Sequence, residues 1–198
     1  MNHDIGHHFV LPAIQEFVKQ YPQVHIDFVL DDDRVDLISE EVDLAIQIGI
    51  PKDTSLIARL LYEEDFVLYA HPEFLETFGY PKTIDDLNTL YWVVLDLPNW
   101  NNAVRLHKQN STKIVYSRVF QRCNSPFMVQ KMAASGMGVA LMLPATMREQ
   151  VSAGQLVPVL PDWHGERTAF SLVYPSRKNL PQRIRVLIDY IVKANIFA

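Results

Sequence analysis

Leu44, Ile46 and Ile48 alternate with Asp43, Ala45 and Gln47, and the alternation stops at Gly49. Apolar residues at every second position define a strand with one face turned inward. Just upstream, residues 34–39 read as a short helical turn, with Val35 and Ile38, or Leu37, placed to meet a core. Glu40-Glu41 then turns the chain. Downstream, Gly49, Pro51 and the polar run to Ser55 make a loop at the strand's carboxyl end. In open α/β sheets that end is where ligands bind, which makes Gln47 and Gly49 candidate contacts.

The rest of the chain alternates strands with helices, the pattern of an α/β fold. After a polar lead-in over 1–6, a helix is expected to about Gln20, with Val10, Ile14, Phe17, Val18 and Tyr21 on one face. Strands are expected over 24–30, 56–61, 66–70, 90–95, 113–121, 139–143, 156–160 and 169–174. Helices are expected over 73–78, 84–87, 146–151 and 181–194, the last with Ile184, Leu187, Ile188 and Ile191 inward. Asn124-Ser125-Pro126 is a strong helix start, a capping residue followed by proline at the first helical position. That helix should run to Ala134 and stop at Gly136. Residues 96–102, with Pro98 and Trp100, read as loop, as do 177–180.

A chain of 198 residues is long enough to bury a real core. Its formal charge of −5 argues against this chain alone coating DNA or an anionic membrane. No apolar run approaches the roughly 20 residues of a membrane span, and the first residues lack the pattern of a signal peptide. The single cysteine, Cys123, excludes an internal disulfide and fits a reducing cytoplasm.

Several ordered motifs carry a family resemblance. Residues 35–49 resemble the "V-D-L-x-x-E-x-x-D-x-A-I-x-x-G" signature of the LysR-type transcriptional regulators, found in their effector-binding domain. Leu11 to Phe28 resembles "L-P-x-x-x-x-F-x-x-x-Y-P-x-V-x-I-x-F" of the same family, and Leu68 to Pro81 its "A-S-P-x-Y-L-x-x-x-G-x-P". Further on, "A-A-S-G-M-G-V-A-L-M-L-P", "G-Q-L-V-P-V-L-P-D-W" and "L-V-Y-P-S-R" follow in the family's order. The resemblance implies the type-II periplasmic-binding-protein fold: two Rossmann-like lobes joined by two crossover strands. Lobe I would be 1–70 plus 175–198, and lobe II 71–174. The family's pattern also has a strand just before the first helix and a helix-turn-helix further upstream. Neither lies in these residues, so DNA contact is expected only through that upstream domain.

The resemblance implies a small-molecule effector bound between the lobes. It assigns contacts to His3, Asp4, Ile5 and Gly6, to Gln47 and Gly49, and to Asn124 and Ser125. Free amides at a helix start favour a carboxylate; plain capping, worth about 1 kcal/mol, explains Asn124-Ser125 equally well. Many relatives carry arginine where Gln47 stands, and glutamine offers only neutral hydrogen bonds in place of a bidentate clamp. A frayed terminus is the simpler reading of 3–6, and a half-exposed strand residue that of Gln47. The family also implies a homodimer of this domain, and a tetramer is open for the full-length protein.

Other candidates are weaker. His3 and His7 have helical spacing, but His-Glu-x-x-His and partner cysteines are lacking, so no metal is expected. Cys123 beside Arg122 lacks a resolving cysteine and reads as structural. Trp100 and Trp163 can stack on a ligand; core packing is the safer reading. Asp31-Asp32-Asp33 reads as a turn, and Arg177, Lys178, Arg183 and Arg185 as a solvated face. There is no G-x-S-x-G, phosphate loop or G-x-G-x-x-G, and no nucleophile–base pair, so neither enzyme nor cofactor is expected. Two classes remain: a cytoplasmic regulatory sensor, and a stand-alone solute-binding protein of the same fold.

Overall fold

The computed structural model describes residues 1–32, 36–51, 53–96, 103–117, 119–176 and 180–197. Val35, Asp33, the loop with Pro98 and Trp100, and Arg177 and Lys178 lie outside the described residues. The chain forms two compact units, Met1–Glu63 with Thr168–Ala198, and Glu64–Arg167. No helix of the described residues is long and apolar enough to cross a membrane.

The first unit opens with a helical run in three parts: α1 (His3–Ile5), a π-helical segment (Gly6–Val10) and α2 (Leu11–Gln20). The expected polar lead-in is therefore helical from His3. The Asn2 side chain supplies the cap, its Oδ1 accepting from the Ile5 amide at 2.9 Å. Ile14 and Phe17 face inward, whereas Val18 and Tyr21 stay exposed.

Residues 24–30 alternate as a strand should, yet among the described residues they pair with no strand. Their extended backbone instead meets the first residue. The Met1 amino group donates to the Val29 carbonyl at 3.2 Å, and the Asp31 amide donates to the Met1 carbonyl at 2.9 Å. Alternation predicts an extended backbone; a ladder also needs a neighbouring strand.

The turn over 37–41 is built on Asp36, whose carboxylate accepts from the amides of Ile38 and Ser39. Those two bonds hold its carboxyl below the usual carboxylate range. Leu37 is buried and Ile38 exposed, which settles which of the two meets the core. Strand β1 (Ala45–Ile48) follows, then β2 (Leu56–Ala70), which is one continuous strand where two were expected. β1 runs antiparallel to β9 (His164–Pro175), Gln47 opposite Ser171 and Ile48 opposite Phe170. On one face Ala45 and Val173 pack with Leu37. Elsewhere in the unit Phe9, Tyr62, Phe170 and Phe197 form an aromatic cluster with ring centroids 4.4 to 6.5 Å apart. The closing helix α6 (Gln182–Ala194) buries Ile184, Ile188 and Ile191.

The second unit contains α3 (Pro72–Phe78), a 3-10 turn (Ile84–Thr89), β3 (Tyr91–Leu95), β4 (Ala103–Lys108), β5 (Ser111–Tyr116) and β6 (Val119–Cys123). After these come α4 (Pro126–Ala134), β7 (Ala140–Met142), α5 (Pro144–Ser152) and β8 (Val157–Pro158). The sheet order is β5-β4-β9-β2-β7, with β1 on β9 and β8 on β2; β3 and β6 form a separate parallel pair. The strand expected over 113–121 is thus two, β5 and β6, and β4 was not expected at all. The short alternation Val104–Leu106 packs β4 inward.

β3 shows why this unit is layered. Trp92 and Val94 join Phe74, Leu75 and Leu87 in one core, while Val93 joins Val129, Ala133 and Met147 in another. A strand covered on both faces reads as a continuous apolar run. Burying each such side chain contributes about 1.5–3 kcal/mol. Trp163 packs partly buried against the first core, which is the packing role expected of it.

The unit boundaries fall at Glu63 and Thr168, inside β2 and β9. Residues 70 and 175 were the expected boundaries, drawn at the ends of the strands. β2 and β9 each run unbroken across the boundary between the two compact units.

Candidate functional site

Of the expected effector contacts, His3 to Gly6 and Gln47 with Gly49 lie in the first unit, and Asn124 with Ser125 in the second. In the first stretch only His3 is exposed; its Nδ1 lies 3.5 Å from Asp32 Oδ1. Asp4 and Ile5 are each 1 % exposed. The Asp4 carboxylate lies 3.3 Å from His8 Nε2 one turn on. Gly6 has a packing reason: a Cβ there would sit 2.7 Å from the Leu30 side chain. His3 and His7 gather no metal site, and among the described residues no group of three or more His, Cys, Asp or Glu is arranged to hold an ion.

Gln47 is half-buried on β1. Gly49 has φ +88° and donates its amide to the Ala169 carbonyl at 2.7 Å, so the strand ends in a conformation that suits glycine. Opposite Gln47, Ser171 is 1 % exposed and its Oγ has no hydrogen-bond partner among the described residues. A serine inside the apolar run Phe170 to Tyr174 was the available signal for this second polar residue, and strand periodicity alone passed over it.

Asn124 is exposed and Ser125 half-buried at the start of α4. Ser125 has the extended backbone of a cap, φ −105° and ψ 118°, and its carbonyl accepts from the Val129 amide at 3.0 Å. Its side chain makes no cap hydrogen bond. The capping explanation for this serine therefore loses its main support, since its hydroxyl satisfies none of the first-turn amides of α4. Close by, Arg122 Nη1 reaches Asp96 Oδ1 at 3.4 Å and its guanidinium lies over the Phe120 ring. That arginine is engaged elsewhere than on the half-buried thiol of Cys123.

The second unit also holds buried polar groups that pattern reading did not single out. Glu64 is 9 % exposed, and burial pushes its carboxyl above the ordinary value against the opposing Ala145 hydrogen bond. Burial, with the Glu64 charge nearby, raises the Tyr69 phenol to about 12. Gln130 on α4 is fully buried. Each is one polar residue in an amphipathic or mixed run, and only the tertiary packing decides that it faces inward. On the β4–β9 face, His107 meets Thr112 Oγ1 at 3.1 Å and Glu166 Oε1 at 3.0 Å. This hydroxyl–imidazole–carboxylate line joins neighbouring strands on an exposed face, and it reads as cross-strand pairing.

A family model described as the LysR substrate binding domain matches residues 1–195. An HTH-type transcriptional regulator of Haemophilus influenzae is 32 % identical over 185 residues, covering 91 % of this chain and 63 % of the relative. The HTH-type transcriptional regulator DmlR of Escherichia coli is 30 % identical over 187 residues, covering 94 % and 61 %. The chain thus spans about three-fifths of the length of these curated relatives. Among solved structures, the regulatory domain of AphB in Vibrio vulnificus superposes with a TM-score of 0.79 at 25 % identity, covering 98 % of this chain and 95 % of that one.

Proposed function

Since the chain belongs to the LysR substrate-binding domain family, we propose that it senses a small metabolite and passes that signal to an upstream DNA-binding domain. The effector contacts are drawn from His3, Asp4, Ile5, Gly6, Gln47, Gly49, Asn124 and Ser125. The observation that carries the reading is the start of α4, where a proline-led helix has a serine at the cap position whose side chain caps nothing. A carboxylate is the natural occupant of such a start. Gln47 in place of arginine points to an effector of modest charge with an apolar or aromatic body. The curated relatives are transcriptional regulators, which favours the sensor over the stand-alone solute-binding protein.

The working form proposed is a homodimer of this domain, with a tetramer for the full-length regulator, in the cytoplasm. Exposed Leu11, Val18 and Tyr21 of the first helical run, with Phe28 and Val29 beyond it, offer an apolar face to a second copy. The effector reading is tested by calorimetric titration of small carboxylic acids against the wild type and Ser125→Trp. An acid that binds the wild type should lose its binding in the variant while the fold is kept. Equal binding to both removes Ser125 from the site.

A further inference from the structure

Two polar side chains inside the second unit bond the same helix, α5, from two different elements. Glu64 is the first residue of that unit along β2. Both its carboxylate oxygens lie 3.1 Å from the Ala145 amide nitrogen, in the first turn of α5. That amide is among the donors a helix leaves unsatisfied at its start, and Leu143 at the cap position has no side-chain acceptor to offer. Glu64 supplies from another element the cap that the local sequence lacks.

Gln130, in α4, donates from Nε2 to the Thr146 carbonyl at 2.6 Å and to Gln150 Oε1 at 2.9 Å. Both acceptors belong to α5. They fix the amide's orientation, because a flipped Gln130 would set its own oxygen against the Thr146 carbonyl. The Gln130 Oε1 is buried without a hydrogen-bond partner among the described residues. A glutamine held in an apolar interior with half its capacity unmet is there for the bonds it does make.

We propose that Glu64 and Gln130 are positioning residues that couple β2, through α5, to the pose of α4. Thr146 follows Ala145 directly, and Gln150 lies on the same short helix, so a shift at the Glu64–Ala145 contact reaches Gln130 through α5. The structure shows the network with the Glu64–Ala145 bond made; breaking that bond supplies the second arrangement that a coupling path needs. The regulatory use rests on the reading that the start of α4 contacts the effector; the coupling itself does not.

The test is hydrogen exchange on the 198-residue chain. Glu64→Ala should raise exchange in the first turn of α5 and, by at least about fivefold, across α4, with α6 of the first unit unchanged. Glu64→Gln keeps an oxygen for Ala145 and should return α4 to within about twofold of wild type. Gln130→Met cuts the path in the middle. In the double variant α5 should still respond to Glu64→Ala, while α4 exchanges no faster than in Gln130→Met alone. If Glu64→Ala does not fold, Glu64→Asp, which draws the carboxylate back by one methylene, is read in the same way. A response confined to α5, or one that spreads equally to α6, overturns the proposal. Loss of Ser125 from the effector site, shown by the titration above, would remove the regulatory use and leave the exchange result standing.

Discussion

Both carboxylate oxygens of Glu64 accept from one amide, that of Ala145, each at 3.1 Å, the one donor they have among the described residues. One neutral hydrogen bond donor is little compensation for taking a carboxylate out of water. Burial is the largest influence on Glu64 and raises its carboxyl above 4.5; the Ala145 bond and Arg148 oppose it, and Asp65 adds to it. The native chain therefore holds this proton to a higher pH than the unfolded chain does. Through the window that starts near 4.5 and ends at the raised native value, stability falls as pH rises. Glu64→Gln keeps an acceptor and has no titration. The thermal midpoint of wild type minus that of Glu64→Gln should be highest on the acid side of the window, fall through it and then level off. Calorimetry from about pH 4 to about pH 8 checks this; a difference that rises with pH would be the wrong sign.

Ser125→Ala should leave stability nearly untouched. Removing a working cap costs about 0.5–2 kcal/mol, and the Ser125 side chain forms no cap hydrogen bond. A change below about 0.5 kcal/mol in urea unfolding is expected, the range of an ordinary surface substitution. A loss of about 1 kcal/mol or more would restore the capping role.

Gly138→Ala should be costly for a packing reason. A Cβ at this position would lie 2.6 Å from the Tyr91 carbonyl oxygen and 3.0 Å from the Trp92 amide nitrogen, both backbone atoms that cannot swing aside. The Val139 amide bonds that same Tyr91 carbonyl at 2.8 Å, so relief by movement would break the isolated parallel bridge between Trp92 and Val139. Overpacking of this kind costs about 1–3 kcal/mol. Denaturant unfolding of the variant should show a loss in that range, with wild-type stability counting against the close approach.

Val29→Asp tests the proposed dimer. Val29 is 50 % exposed, so a carboxylate there meets water in the monomer and should leave the fold intact. In a dimer that uses this face it would be buried twice, once per copy. Sedimentation at about 10 μM, a concentration suited to moderate affinity, should show dimer for the wild type and monomer for the variant. A wild type that is already monomeric removes the dimer; a variant that still dimerises moves the interface elsewhere.

Periodicity located what depends on neighbours in sequence. Leu44, Ile46 and Ile48 lie on or beside β1, Gly49 takes the left-handed turn after it, and Asn124-Ser125-Pro126 opens α4. It could not locate what depends on neighbours in space. Residues 24–30 have the alternation of a strand and, among the described residues, no ladder partner. The segment from His3 to Gly6 looks polar, yet Asp4 faces inward toward His8. Ser171, Glu64 and Gln130 are buried because of what packs over them, and no local spacing encodes that. β4 escaped notice because its apolar alternation is only two residues deep, Val104 and Leu106, against a charged remainder.

The π-helical segment Gly6–Val10 bears on how the first helical run can change over evolutionary time. A π turn holds one more residue than an α turn of the same helix. The run from His3 to Gln20 therefore carries an insertion in stored form, and the phase of the side chains before Gly6 is offset from that of the side chains after Leu11. A chain one residue shorter within this segment can close the bulge into plain α-helix and keep both flanking faces in place. A one-residue deletion within α2 between Ile14 and Phe17 has no such slack, and would put these two buried side chains out of phase with each other. Length variation among relatives in this run is thus expected at the bulge and nowhere along α2.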